Sequence, residues 1–182
     1  MTEPLAAAPP SSATIRRIVL TGFMGSGKTT VGPLLARHLG WKFLDVDGVI
    51  EAEAGTTISA LFAQFGEAAF RDREGQTIAR LAAEDGLILA LGGGAIERAQ
   101  TRALLLNTPG TMLIHLEVRL STTLTRCRGT EGTRPILADQ ANLTRRYHQR
   151  LPLYRMAHAS IHVDFLKPRQ VMKAILEAAG LI

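Results

Sequence analysis

The chain has 182 residues, 46% of them hydrophobic, and a formal net charge of +5 from 21 basic and 16 acidic residues. That is enough apolar material for one proper core, so one domain is the simplest reading, and no run approaches the ~20 apolar residues that a membrane span requires. A lone cysteine, Cys127, excludes an internal disulfide, and with no C-x-x-C or His/Cys cluster no zinc site is expected, so a reducing cytoplasm is the natural compartment.

From the N-terminus, the stretch Met1 to Ala13 lacks the basic start and long apolar core of a secretory leader, so residues 1–14 are expected to form a flexible tail ahead of a domain spanning 15–182. Short apolar runs then alternate with longer amphipathic ones, the pattern of βαβ units around a parallel sheet. Strands are predicted at Arg17 to Thr21, Lys42 to Val46, Leu87 to Leu91, Thr111 to Leu116 and Ser160 to Val163. Helices are predicted at Thr29 to Leu39, ended by Gly40, and at Glu67 to Glu84, Arg98 to Leu106, Leu120 to Arg126, Leu143 to Tyr154 and Arg169 to Ala179. The segment Arg128-Gly-Thr-Glu-Gly-Thr-Arg-Pro135 carries two glycines, two threonines and a proline, which suits a mobile loop better than either flanking helix.

Between the first strand and first helix stands Gly22-Phe-Met-Gly-Ser-Gly-Lys-Thr29, a full match to the phosphate-cradling pattern G-x-x-x-x-G-K-[ST]. Its glycines let the backbone curl so that successive N–H groups face phosphate oxygens. Gly25, Ser26, Gly27 and Thr30 belong to that cradle, Lys28 is placed to reach the β/γ-phosphates, and the Thr29 hydroxyl to ligate Mg²⁺. The chain is therefore expected to bind ATP or a related nucleoside triphosphate.

The rest of the chain narrows the class. There is no Asn-Lys-x-Asp, and the third strand runs into Gly92-Gly93-Gly94, not into an acid, so GTPase and motor readings fall. Acids appear at the end of the second strand as Asp45-Val-Asp47, where strand alternation is expected to turn both carboxylates into the ligand crevice. One is suited to the metal and the other to orienting or deprotonating an attacking hydroxyl; the plain competing reading is a helix N-cap. An acid at Asp47 would repel a nucleoside-monophosphate acceptor and welcome a polyol. Arg71 and Glu74 are helical neighbours at i,i+3, Arg134 precedes Pro135 at the edge of the glycine-containing loop, and Arg150 sits in the stretch Gln149 to Arg155. The bases are scattered except for a cluster between Arg119 and Arg155, without interleaved aromatics, which suggests an anionic small molecule and no nucleic acid. His38, His115, His148, His158, His162 and Trp41 read as structural.

Taken together, Gly22 to Thr30, Asp45-Val-Asp47, Phe70-Arg71-x-x-Glu74, Gly92-Gly-Gly94, Arg134-Pro-Ile-Leu137 and Arg150-x-Pro-Leu-Tyr-Arg155 resemble shikimate kinase in order and spacing. The resemblance implies an α/β, three-layer P-loop fold of the nucleoside-monophosphate-kinase kind with a five-stranded parallel sheet and a mobile lid around 126–137. It implies transfer of the γ-phosphoryl of ATP to the 3-hydroxyl of shikimate, a small carboxylated polyol, by a monomer. By the same resemblance Asp45 and Thr29 hold Mg²⁺, and Asp47 binds the acceptor hydroxyls as candidate base. Arg71 and Arg150 clamp the carboxylate, Gly93 and Gly94 offer backbone N–H groups, and Arg134 reaches the transferring phosphate. Adenine is expected between a lid arginine, Arg126 or Arg128, and the Lys167-Pro168 turn. Rival readings are a kinase of another small hydroxy acid or sugar such as gluconate, and a non-catalytic effector-binding domain of the same fold.

Overall fold

A computed structural model of the chain describes residues 15–127 and 140–182. The expected tail 1–14 lies outside the described residues, as does most of the expected lid, including Arg128 and Arg134.

Strand β1 (Arg17–Thr21) is buried along its whole length, and so is β3 (Leu87–Ala90). Burial at every position marks strands covered on both faces, as in parallel sheets flanked by helices. The five strands stand in the order β2-β3-β1-β4-β5, with β2 at Lys42–Asp45, β4 at Thr111–Glu117 and β5 at Ala159–His162. Every pairing is parallel. The core of the sheet is Ile18, Val19, Leu20, Ile88, Leu89 and Ile114, all within 1% of full burial.

The helices are α1 (Lys28–Leu39), α2 (Val46–Ala54), α3 (Ile58–Leu81), α4 (Ala99–Asn107), α5 (Leu120–Arg126), α6 (Gln140–Tyr154) and α7 (Pro168–Ala178). The connection β1-α1-β2 runs across the sheet in one direction, and β3-α4-β4 in the other. With right-handed crossovers this sends α1 and α4 to opposite faces. It also opens a crevice at the carboxyl ends of the strands, where the path reverses. Register sets what meets there: Leu20 and Asp45 are both level with Ala90, so the chain segments leaving β1, β2 and β3 emerge side by side.

Strand and helix positions agree with the sequence reading to within about two residues at most ends, with two substantive differences. The second strand stops at Asp45, and Val46 opens α2, a helix absent from the expectation. Asp45 is its N-cap, accepting from the backbone N–H of Asp47 at 3.0 Å, the local bond that favours Asp at helix starts. The long helix also begins earlier than expected, at Ile58, with the Thr57 side chain accepting from Ala60 N–H at 3.2 Å. It breaks at Gly66, whose φ of 80° and ψ of 169° separate a short first segment from the Glu67 to Leu81 run. None of the described helices is long and apolar enough to cross a membrane.

Candidate active site

The phosphate loop leaves β1 and enters α1 through Gly27, whose φ of 97° is a left-handed conformation open to glycine at little strain. No side chain caps α1. Its first N–H groups are thus left for an anion, and the helix dipole favours one there. The Lys28 ammonium donates to the carbonyls of Gly22 at 2.7 Å and Phe23 at 3.2 Å and to the Ser26 hydroxyl at 3.3 Å, so it lies folded along the loop it serves. Gly25 to Thr30 all line a crevice of about 770 Å³, together with Asp45, Asp47, Gly92, Gly93, Arg126, Arg150 and Pro168.

Both acids of the Asp45-Val-Asp47 motif line that crevice, but not as alternate residues of one strand. Asp45 ends β2 and Asp47 stands in the first turn of α2; the chain turns between them, and the helix brings Asp47 round to the same opening. The strand-alternation expectation is corrected here: the capping and the crevice roles coexist in Asp45, because the cap uses Oδ1. Burial pushes the Asp47 carboxyl up to about 6, helped by the negative charges of Asp45 and Glu74 and opposed by Lys28 and Arg71. A carboxylate so poised is ionised at neutral pH yet basic enough to take a proton.

Glu74 is 1% exposed, and burial raises its carboxyl above the ordinary range despite the adjacent Arg71 guanidinium. One oxygen, Oε2, accepts from Arg71 Nη1 at 2.8 Å, while Oε1 has no hydrogen-bond partner among the described residues. A buried acceptor in that state is a place for a ligand donor. Both Oε1 and the Asp47 carboxylate face Gly92, where a Cβ would come within 3.1 Å of the former and 2.7 Å of Asp47 Oδ1.

The two arginines expected to clamp an acid stand at consecutive glycines. A Cβ on Gly93 would be 3.5 Å from Arg150 Nη1, and one on Gly94 only 2.7 Å from Arg71 Cζ. Arg71 is fixed by Glu74, by Glu67 at 3.2 Å, and by the rings of Phe70 and Phe62, whose centroids are 5.3 and 6.0 Å from its guanidinium carbon. Arg150 is fixed by Glu97 and by Tyr154, whose hydroxyl in turn donates to the Gly93 carbonyl at 2.6 Å. On the nucleotide side, Arg126 donates to the Gly25 carbonyl at 3.0 Å and to that of Val163 at 3.0 Å, joining the phosphate loop to the segment before α7. Pro168 lines the crevice opposite.

The sequence reading thus named most of the residues that the fold brings together, and missed Glu97 and Tyr154 as partners of Arg150. Tyr154 was within reach of sequence, since it follows Arg150 by one helical turn. Glu97 was not: it pairs across 53 positions. His115 is buried, and burial lowers its ring to about 4, so it is neutral, stacked on Tyr154 at 5.1 Å, as befits a structural histidine.

Among the described residues no group of three or more His, Cys, Asp or Glu is arranged to hold a metal. The Thr29 hydroxyl and the Asp45 carboxylate nevertheless share the crevice with the phosphate loop. Hard oxygen donors of that kind, few in number, suit Mg²⁺, which keeps waters and takes phosphate oxygens from its nucleotide.

Comparison with known proteins agrees with this geometry. The sequence model of the shikimate kinase family matches residues 24–179. The shikimate kinase of Moorella thermoacetica is 42% identical over 166 residues, covering 88% of this chain and 92% of that protein. That of Symbiobacterium thermophilum is also 42% identical over 166 residues, covering 88% and 94%. Among solved structures, a shikimate kinase from Acinetobacter baumannii in complex with shikimate superposes with a TM-score of 0.83 at 37% identity, covering 92% of this chain and 96% of that one.

Proposed function

This chain belongs to the shikimate kinase family, and from that membership and its site we infer that it transfers the γ-phosphoryl of ATP to the 3-hydroxyl of shikimate. The observation that carries the reading is the run of glycines at the acceptor side: guanidinium groups stand at Gly93 and Gly94, next to Gly92, which the Asp47 carboxylate faces. That is a binding surface for a small molecule with an acid at one end and hydroxyls at the other.

Phosphoryl transfer asks a protein mainly to position and to neutralise charge. The N–H groups of Gly25 to Thr30 hold the β- and γ-phosphates, and Lys28 exchanges its loop carbonyls for phosphate oxygens. Thr29 and Asp45 would hold Mg²⁺, which when bound supplies positive charge to those oxygens. Arg71 and Arg150 grip the acceptor carboxylate in the two-pronged manner suited to guanidinium. Asp47 accepts hydrogen bonds from the acceptor hydroxyls and receives the proton of the attacking one. Arg134, in the expected 126–137 lid, is assigned by the resemblance to the transferring phosphate, where its charge offsets that developing on the oxygens. Arg126, already in the crevice, and Arg128 share the assignment to adenine with Lys167 and Pro168. We assign the work to a monomer in the cytoplasm, where ATP is made and used.

The test is a coupled ADP-release assay of the purified protein with shikimate, quinate and gluconate in parallel. ADP is expected with shikimate, abolished by EDTA and restored by Mg²⁺. Turnover of gluconate without turnover of shikimate would overturn the assignment, and turnover of none would favour a non-catalytic effector-binding domain.

A further inference from the structure

Arg150 is a buried cation, 6% exposed, whose two edges face different surroundings. Its Nη1 approaches Gly93 in the crevice. Its other edge is taken by Glu97, with Nε donating to Oε1 at 2.9 Å and Nη2 to Oε2 at 3.3 Å. Glu97 is not part of the crevice lining. It lines a neighbouring surface hollow of about 390 Å³ with Glu67, Arg145, Arg146 and Gln149, and takes the Nε and Nη2 edge of the guanidinium, whereas Nη1 stands toward Gly93.

The carboxylate is delivered by a braced piece of backbone. Glu97 closes the short 3-10 turn Ala95–Glu97, directly after Gly94, and its N–H donates to the Gly94 carbonyl at 3.0 Å. Arg102 Nη1 donates to the carbonyls of Ile96 at 2.7 Å and Glu97 at 2.8 Å. The loop that brings Gly93 and Gly94 to the acceptor therefore also carries the acid that holds Arg150.

A planar guanidinium gripped by Glu97 along its Nε and Nη2 edge, and bonded also to the Tyr154 hydroxyl, has lost rotation about its last bonds and presents Nη1 toward Gly93. Resting on the functional reading above, we propose that Glu97 is a positioning residue: it fixes the orientation of Arg150 and thereby sets the affinity for the acceptor carboxylate without touching the acceptor. Because Glu97 takes Nε and Nη2 and leaves Nη1 toward Gly93, the proposal has both carboxylates bound to Arg150 at once. A carboxylate competing for the acceptor's edge would give the opposite sign in the experiment below.

The experiment measures steady-state kinetics of wild type, Glu97→Gln and Glu97→Ala with shikimate and ATP varied separately. Releasing one long side chain from a fixed rotamer is expected to raise the shikimate KM on the order of three- to tenfold in Glu97→Ala. Glu97→Gln, which keeps the size and one acceptor, should show a smaller rise. The ATP KM and kcat at saturating shikimate should stay within about twofold, because the grip on the acid is the same before and during phosphoryl transfer. In an Arg150→Lys background, where there is no fork to grip, Glu97→Ala should change the shikimate KM by less than about twofold. An unchanged or lowered shikimate KM in both Glu97 variants overturns the proposal, and so does a matched loss in kcat, ATP KM and melting temperature, which would mark Glu97 as a general structural residue. Wild type in the same assay separates the two levels: no phosphorylation of shikimate defeats the functional reading and the proposal with it, whereas normal wild-type turnover with an insensitive KM defeats the proposal alone.

Discussion

Asp47→Asn should make the ligand-free protein more stable and nearly inactive. The Asp47 carboxyl sits at about 6 in the folded protein against an ordinary 3.8, chiefly because burial penalises its charge. A shift of about two units corresponds to about 3 kcal/mol of penalty on the charged form, and loss of a favourable anion in the first turn of α2 returns up to about 1 kcal/mol. The net gain for the asparagine is therefore about 2 kcal/mol, or about 4–8 °C for a chain of this size. The sign with pH follows from the raised value. Asp47 weakens the wild type progressively as pH rises from 3.8 through 6, so the advantage of Asn is full at pH 7–8 and shrinks toward pH 4.5. Thermal unfolding of both proteins without ligand across pH 4.5–8 reads it directly, while turnover of the variant should fall on the order of 10²–10⁴-fold. The wild-type kcat/KM for shikimate should likewise lose its activity below about pH 6, on one ionisation. An asparagine variant no more stable than wild type at pH 8, or one whose advantage is the same at pH 4.5, would refute the claim that Asp47 is held charged at the expense of the fold.

Three further outcomes follow from the geometry. Arg71→Ala should raise the shikimate KM strongly, whereas Arg134→Ala should lower kcat on the order of 10²-fold with the shikimate KM little changed; the reverse pattern in steady-state kinetics would undo the division between acid clamp and phosphate contact. Gly94→Ala adds a methyl where the Arg71 guanidinium stands, at a φ of −91° that any residue adopts, so the clamp must shift while the fold does not. A several-fold rise in shikimate KM with an unchanged melting temperature is expected, and a large drop in melting temperature would show that the glycine serves the backbone instead. At the far end of β1, the 3%-exposed Arg17 donates to the carbonyls of Glu84 and Pro109, to the Thr111 hydroxyl and to Asp85. Arg17→Ala should cost about 1–2 kcal/mol with kinetics unchanged, checked by denaturant unfolding, since it removes these hydrogen bonds and takes that donor from the buried Thr111 hydroxyl while the other partners remain open to water.

What was legible in the sequence is what local chemistry encodes. The strand-to-helix passage at Gly22 to Thr29 announces itself because few other residues permit that loop, and Arg71 and Glu74 pair because three residues on a helix bring them together. Asp45-Val-Asp47 was read as strand because alternation and helix capping place acids at the same point, and the segment that decides between them, Val46 to Ala54, has Gly48 to weaken its helical signal. The Ile58 start of α3 was obscured by Gly66, which interrupts the period after barely two turns. The long-range pairings were beyond sequence: Glu97 with Arg150, and Arg126 with the carbonyls of Gly25 and Val163, exist only once the sheet order has folded distant segments onto one opening.

The central claim is the identity of the bond that is made, and ³¹P NMR of the reaction mixture tests it most directly. With purified protein, ATP, Mg²⁺ and shikimate, one new phosphomonoester resonance should grow in step with ADP and couple to the proton on carbon 3 of shikimate. Release of ADP and inorganic phosphate without a new ester, or an ester on another hydroxyl, would contradict the account.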